Sequence, residues 1–242
     1  MRIPRIFHPE SLNSKSRVAL DDSAARHVGK VLRLTVSSPL ILFDGKGGEY
    51  PATITNIDKR NVEVELGSIV DINIESPLSI TLAQGISKGE RMDYTIQKAV
   101  ELGITRIVPL NTERSVVNLK GERQEKKMAH WQGIIISACE QCGRNILPEL
   151  LPMQSLDQWL SEDQRETRLL LDHRASNSVS TLEGSDEFTL LIGPEGGLSE
   201  TEKEKAYAQG YKGLRLGPRI LRTETAALTA LAALQSRFGD LG

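Results

Sequence analysis

Residues 190–199 read LLIGPEGGLS, and this stretch decides how the rest of the chain is interpreted. The apolar run LLI is typical of a buried strand, and it passes directly into a turn of glycine and proline. Ser199 then supplies a hydroxyl suited to capping a helix N-terminus, and Glu202 completes the pattern of a capping box. The stretch therefore predicts a strand, a turn with few side chains and a helix that runs to about Gln209.

A second turn of this kind lies roughly 25 residues further on, where residues 216–227 read LGPRILRTETAA. A backbone with few side chains can approach a ligand closely, and the first N–H groups of a helix lack intrahelical partners. Two such turns could form two walls of one pocket for a small molecule.

Strand-like and helix-like segments alternate from residue 78 onward, which is typical of a parallel sheet with helices packed on it. We predict strands at residues 78–83, 107–110, 168–172, 188–192 and 212–216. We predict further helices at residues 91–102, 122–142 and 225–238. The last helix is apolar on nearly all sides, so it needs cover on more than one face, and a subunit interface is the natural second cover.

The first 73 residues are predicted to form a small β-rich barrel or sandwich. Strands are expected at residues 36–43, 50–57 and 62–66, with turn-forming residues between them. A short helix is expected at residues 23–32, with Asp22 or Ser23 as its cap. We divide the chain into residues 1–73 and 74–242, with the junction beside Ser76-Pro77.

The composition, 39% hydrophobic and 26% charged, fits a globular protein. No apolar run approaches the roughly 20 residues that span a membrane, and the N-terminus lacks a secretion signal, so we expect a cytoplasmic protein without a membrane partner. The net charge of −2 argues against non-specific binding of polyanions. Residues 1–34, however, carry seven basic and three acidic side chains, which suits either local RNA docking or an ordinary solvated surface.

Cys139 and Cys142 form a Cys-x-x-Cys pair. Redox pairs of this type open a helix, whose N-terminus lowers the thiol pKa, whereas this pair falls at the end of a predicted helix. A zinc site would need two more ligands, and the four histidines show no matching spacing. We interpret the pair as structural and expect no metal.

The two glycine turns match neither of the common phosphate-binding loops, Gly-x-x-x-x-Gly-Lys-Ser/Thr and Gly-x-Gly-x-x-Gly. Glu195 would repel a phosphate, but it would suit a cation or a hydroxyl-rich ribose. A sulfonium cofactor carries both features.

Several segments, in order along nearly the whole chain, resemble the RsmE group of SPOUT-type RNA methyltransferases. Besides GPEGG at 193–197 and LGPRILRTETA at 216–226, they are FDGKG at 43–47, KGERMD at 88–93, QKAVELG at 97–103, TERS at 112–115 and EQCGR at 140–144.

The resemblance implies a PUA-like RNA-binding barrel, followed by an α/β domain whose last segments form a trefoil knot. It implies S-adenosylmethionine as cofactor and small-subunit ribosomal RNA as substrate, methylated at N3 of one uridine in the decoding region. It also implies a homodimer, in agreement with the apolar last helix.

Candidate site residues fall into three groups. For the cofactor we select the bare backbone and small apolar residues of the two turns and their strands: Leu171, Ile192, Gly193, Pro194, Glu195, Gly196, Gly197, Leu216, Gly217, Leu221, Thr223 and Ala226. For RNA we select basic side chains: Arg2, Arg5, Arg17, His27, Lys30, Arg33, Lys88, Arg91, Arg114 and Arg144.

For catalysis we select Arg222 to hold the deprotonated uracil, and Glu224 or Glu195 as the base. Other roles stay open: Arg222 could bind phosphate, Glu224 could cap the last helix and Glu195 could contact the cofactor ribose. Two other classes of protein also stay open, namely a non-catalytic RNA-binding or ribosome-assembly module and a redox or zinc protein built on the cysteines.

Overall fold

The computed structural model describes residues 3–58, 61–116, 119–162 and 167–242. Their contacts divide the chain into two compact units. The first consists of Met1–Glu75, as far as it is described, together with Cys139–Leu147, and the second of Ser76–Ala138 and Pro148–Gly242. Sequence patterns alone do not indicate that residues 139–147 belong with the first unit.

The first unit contains a five-stranded sheet with the order β1-β3-β4-β5-β2. Its strands are β1 (Arg5–Phe7), β2 (Arg17–Ala19), β3 (Pro39–Phe43), β4 (Tyr50–Ile57) and β5 (Val62–Leu66). β1 pairs with β3 in parallel, and the other pairs are antiparallel. Alternate residues of β3, β4 and β5, such as Leu42, Ile54 and Val64, point into one buried apolar core, as the period of two predicts.

Two boundaries in the first unit differ from the prediction. Helix α1 (Asp22–Arg26) is capped by Asp21, whose side chain accepts hydrogen bonds from the backbone N–H groups of Ser23 and Ala24. The chain then continues as one π-helical segment, His27–Val31. The predicted strand at 36–43 begins only at Pro39, because Ser37 has a φ of 70° and lies in a turn.

The second unit contains a parallel sheet with the order β12-β10-β11-β6-β7-β8, and β9 also pairs with β7. The strands are β6 (Ser79–Gly85), β7 (Arg106–Asn111), β8 (Glu149–Leu150), β9 (Gln154–Ser155), β10 (Thr167–Leu171), β11 (Glu187–Ile192) and β12 (Lys212–Leu214). All pairs in this sheet are parallel. The predicted α/β class is therefore confirmed.

Five helices begin in the second unit. They are α2 (Arg91–Glu101), α3 (Glu122–Cys142), α4 (Leu156–Ser161), α5 (Glu200–Ala208) and α6 (Thr223–Phe238), and all but α4 were predicted. The capping box of Ser199 and Glu202 at the start of α5 is confirmed. α6 begins two residues earlier than predicted, and it buries Ala227, Leu231 and Leu234 along one face. None of the helices in the described part of the chain is both long and apolar enough to cross a membrane.

Candidate active site

A cavity of about 560 Å³ lies in the second unit, where the adjacent strands β12, β10 and β11 end. The residues that follow these strands form its walls: Asp172 and His173 after β10, residues 193–197 after β11, and residues 216–226 after β12. Ligands of open parallel sheets bind in the crevice outside the carboxyl ends of the strands. The cavity therefore lies where this fold places a ligand.

The first glycine turn is packed so closely that larger residues do not fit. A Cβ atom added to Gly193 would lie 2.7 Å from backbone atoms of Gly197 and Leu198, and one added to Gly85 would lie 2.6 Å from Pro194. Gly197 has a φ of +66° and donates its backbone N–H to the carbonyl oxygen of Pro194 at 2.8 Å. These contacts explain why the sequence uses glycine here.

The second turn is joined to the first by a hydrogen bond. The Thr223 hydroxyl at the start of α6 donates to the Gly193 carbonyl oxygen at 2.7 Å. Before it, Gly217 has a φ of +82° and Ile220 is 82% exposed. The two turns thus face a single cavity, as the sequence predicts.

Three charged side chains meet on one wall. Arg91 donates from Nη1 to Glu195 Oε1 at 2.7 Å, and its Nε lies 3.9 Å from Glu224 Oε1. Glu195 Oε1 also accepts the backbone N–H of Lys88 at 2.8 Å. Burial by itself would raise the pKa of Glu195, but the hydrogen bonds from backbone N–H groups and from Arg91 outweigh it, so this pKa lies below its ordinary value.

Glu224 has a different environment. Its side chain is 15% exposed, and its Oε2 atom is buried without a hydrogen-bond partner among the described residues. A buried carboxylate oxygen with no donor is costly, and its capacity to accept a hydrogen bond is unused.

Asp172, which also lines the cavity, accepts hydrogen bonds from donors of the protein itself. It accepts the Arg174 backbone N–H at 3.0 Å and the Tyr207 hydroxyl at 3.1 Å, and Lys203 Nζ lies 3.5 Å away. Burial by itself would raise the pKa of Asp172, but the donors lower it by more. The pKa of Asp172 therefore lies below its ordinary value. Asp172 is therefore a fixed negative charge.

All twelve residues that the sequence assigns to the cofactor line this cavity, as do Arg222 and Glu224. The cavity is also lined by residues that the sequence reading does not assign to it: Arg91, Asp172, His173, Leu214, Arg219 and Ile220. Asp172 and His173 could have been found, because Asp172 ends a predicted strand and His173 directly follows it. Arg91, predicted as an RNA contact, also lines the cavity and pairs with the two glutamates, and its predicted RNA contact stays a prediction.

Two of the proposed RNA contacts are buried in the first unit, against the prediction. Arg5 pairs with Glu49 and bonds Asn145, and Arg144 donates from Nε to Glu75 at 2.8 Å. Each guanidinium thus neutralises a carboxylate inside the unit instead of facing solvent. Arg2 lies outside the described residues.

The remaining RNA candidates are exposed. They are Arg17, His27, Lys30, Arg33, Lys88 and Arg114. Arg114 also donates from Nη1 to the Gly196 carbonyl oxygen at 2.9 Å, and a Cβ atom added to Gly196 would lie 3.2 Å from Arg114 Cβ. This side chain therefore covers the outside of the first glycine turn.

Both cysteines are free thiols. Burial raises the pKa of Cys139 to about 12, so this thiol is a poor nucleophile. In the described part of the chain, no group of three or more His, Cys, Asp or Glu side chains could hold a metal ion.

The profile of the RNA methyltransferase domain family matches residues 74–235, and that of the RNA methyltransferase PUA domain matches residues 20–67. The ribosomal RNA small subunit methyltransferase E of Buchnera aphidicola (from Schizaphis graminum) is 39% identical over 99% of this chain and 98% of its own. The chain belongs to this methyltransferase family.

Two solved structures of similar proteins agree with that assignment. The ribosomal RNA small subunit methyltransferase E of Neisseria gonorrhoeae, crystallised with S-adenosylmethionine, is 41% identical with a TM-score of 0.93. A Legionella pneumophila protein solved with bound SAM is 44% identical with a TM-score of 0.97. In both cases the match covers the whole of both chains. The fold of an α/β methyltransferase with a PUA domain is thereby established for this sequence.

Proposed function

We propose that this protein transfers the methyl group of S-adenosylmethionine to N3 of a uridine in the decoding region of small-subunit ribosomal RNA, in the cytoplasm. The observation that carries the proposal is the single cavity enclosed by the two glycine turns. Family membership supports the methyl donor and the ribosomal RNA. The N3 position and the uridine follow from the resemblance of the motifs.

The residues of the cavity fit the cofactor. Its volume of about 560 Å³ lies within the range of roughly 300–1,000 Å³ for small-molecule sites. The close-packed Gly193–Gly197 turn presents peptide groups without side chains, which suits a flat adenine. Glu195, with its lowered pKa, is a carboxylate at neutral pH and would attract a sulfonium or accept ribose hydroxyls. When bound, S-adenosylmethionine supplies an electrophilic methyl group.

Glu224 is the better candidate for the base. The proton on uracil N3 is held about as tightly as that of a tyrosine phenol, with a pKa of about 10, so an acceptor is needed. Glu195 already accepts two hydrogen bonds through one oxygen, whereas Oε2 of Glu224 has no partner among the described residues. We therefore assign proton acceptance to Glu224 and cofactor binding to Glu195.

Arg222 and Arg91 supply positive charge beside Glu224. Arg222 is exposed at the cavity and immediately precedes α6, and Arg91 lies between the two glutamates. Negative charge develops on the uracil carbonyl oxygens as N3 loses its proton, and a fixed guanidinium stabilises such charge. We assign this role to Arg222, with Arg91 holding the carboxylates in place.

Substrate docking is assigned to the exposed basic side chains Arg17, His27, Lys30, Arg33 and Lys88, because contacts to phosphates position an RNA without reading its sequence. A target uridine inside structured RNA has to leave its stack to reach the cavity. We retain the division into an RNA-binding domain (1–73) and a methyltransferase domain (74–242), which the two family profiles support.

A homodimer and a trefoil knot also belong to the proposal. The support for a dimer is that α6 leaves apolar residues such as Leu228 and Ala232 only half-buried, beside its buried face. The support for the knot is the family resemblance.

The test is methylation in vitro. Small subunits from cells that lack this protein are incubated with the purified enzyme and S-adenosylmethionine, and the nucleosides are analysed by mass spectrometry. We expect 3-methyluridine to appear in the ribosomal RNA. A methyl group on another atom would contradict the N3 assignment, and binding of the subunit without methylation would indicate the non-catalytic module.

A further inference from the structure

Gln84 is a buried polar residue at the end of the central strand β6, and it is not part of the cavity lining. Its neighbours in the sheet register are Ile192 of β11 and Pro109 of β7, and its residue exposure is 1%. A buried amide among apolar strands costs free energy unless it is hydrogen-bonded. The hydrogen bonds that the Gln84 side chain makes should therefore explain why this position is polar.

The Gln84 side chain bonds to two other segments and to the neighbouring residue of its own strand. Nε2 lies 2.9 Å from Thr223 Oγ1, 3.3 Å from the Gly193 carbonyl oxygen and 3.0 Å from the Gly85 carbonyl oxygen. Thr223 begins the helix after the second turn, and Gly193 opens the first turn. One amide thus connects the central strand to both walls of the cavity.

The direction of these bonds is fixed by proton count. The Thr223 hydroxyl has one proton, which it donates to the Gly193 carbonyl oxygen at 2.7 Å. Thr223 must therefore accept from Gln84, and the two carbonyl oxygens can only accept. A donor is required at this atom of residue 84, because an oxygen there would face two carbonyl oxygens and would accept from Thr223 only if the hydroxyl gave up its bond to Gly193.

We propose that Gln84 is a positioning residue of the cofactor cleft, which sets the separation of the two glycine turns by donating to Thr223 and Gly193. This inference rests on the proposed function, because the cofactor is taken to bind between those turns. Gln84 does not line the cavity itself, and it acts through its hydrogen bonds to the two turns.

Two substitutions test the donor. Gln84→Leu keeps the approximate volume but donates nothing, and we expect it to weaken S-adenosylmethionine binding at least tenfold at every pH. In Gln84→Glu, an ionised carboxylate would face the carbonyl oxygens of Gly85 and Gly193, whereas a protonated carboxyl can again donate to Thr223. We therefore expect its dissociation constant to fall at least fivefold, relative to wild type in the same buffer, when the pH is lowered from 8.5 to 5.5.

The comparison with wild type at each pH corrects for any pH dependence that arises from the charged and titratable groups lining the neighbouring cavity, namely Arg91, Asp172, His173, Glu195, Arg219, Arg222 and Glu224. A matched control is Thr189→Val on the adjacent strand β11. Thr189 is fully buried, and its hydroxyl has no partner among the described residues, so this change also alters a buried polar group beside β6. We expect cofactor binding by Thr189→Val to stay within twofold of wild type.

The measurement is calorimetric titration with S-adenosylmethionine at pH 5.5, 7.0 and 8.5, on variants shown by thermal melting to be folded. Wild-type affinity in a folded Gln84→Leu, or a Gln84→Glu that follows the wild-type pH profile, would overturn the inference. No binding by the wild type would instead contradict the proposed function, and this inference with it.

Discussion

Glu195 and Glu224 line one cavity, yet their surroundings assign them different chemistry. Glu195 shares one oxygen between Arg91 and the Lys88 backbone, and it is 26% exposed. Glu224 has a buried oxygen with no partner among the described residues. The sequence alone cannot assign different roles to the two glutamates, because each is the only acidic residue of its turn segment.

Replacing Glu224 by Gln should lower the methylation rate at saturating S-adenosylmethionine by about 10²–10⁴-fold, because the acceptor for the N3 proton is lost. The affinity for the cofactor should change less than threefold. The matched variant Glu195→Gln should mainly weaken cofactor binding. Single-turnover kinetics and calorimetry measure the two quantities, and a Glu224→Gln enzyme with the wild-type rate would rule out this base.

Cys139 should resist alkylation. Its thiol is buried and its pKa is raised to about 12, so only about one molecule in 10⁴ carries a thiolate at pH 8. Cys142 is partly exposed and serves as the internal reference. We expect iodoacetamide at pH 8 to label Cys142 well before Cys139, as read by peptide mass spectrometry. Equal labelling of both residues in the folded protein would contradict this description.

Residues that lie in the turns were predictable, because glycine, proline and a capping serine have local causes. Gln84 was not selected at all, and Arg91 was selected only as an RNA contact. Each acts through contacts with residues about 100 positions or more away in the chain, namely Gly193 and Glu195. Periodicity and turn chemistry carry no information about such contacts.

At the scale of elements, Asp93 of α2 holds α3 in place. Its carboxylate accepts from Lys127 Nζ and Trp131 Nε1 at 2.9 Å each and lies 2.8 Å from His130 Nε2. Burial raises the pKa of Asp93, but the three hydrogen bonds outweigh this, and the pKa lies below 3.8. The three partners lie at positions 127, 130 and 131, so they share one face of the helix.

Asp93→Asn should destabilise the protein by about 1–2 kcal/mol at pH 7. This is less than the loss of a fully buried hydrogen bond to a charged group would cost, because the site is partly exposed. Since the folded pKa is depressed, the contribution of Asp93 is present above its unfolded pKa of about 3.8 and is lost as the pH falls through the folded value. We expect urea unfolding of the wild type and Asp93→Asn from pH 7 to pH 3 to show that their difference in free energy of unfolding shrinks below pH 4. A difference that grows on acidification would contradict the assignment.

Long elements were predicted well and short ones were not. The boundaries of α3 agree with the prediction, and the capping box of α5 is confirmed. The strands β1, β2, β8 and β9 and the helix α4 were missed, because two to six residues are too few to show a period. Their existence depends on pairing with distant parts of the chain.

At the scale of the whole molecule, the proposed dimer predicts an effect at Leu228, which is half-buried at the edge of the buried face of α6. Leu228→Glu would place a charge in an apolar interface and should weaken dimerisation at least tenfold while the monomer stays folded. Sedimentation velocity at several concentrations measures it, with Thr229→Glu at an exposed position of α6 as the control. A monomeric wild type would contradict the dimer itself.

The central claim for the whole molecule is that two turns with few side chains enclose the methyl donor at the carboxyl ends of β10, β11 and β12. A crystal structure of the protein grown with S-adenosylmethionine measures this directly. We predict electron density for the cofactor between residues 193–197 and 216–223, with Glu195 in contact with it. Cofactor density at another site, with this cavity filled only by solvent, would contradict the account.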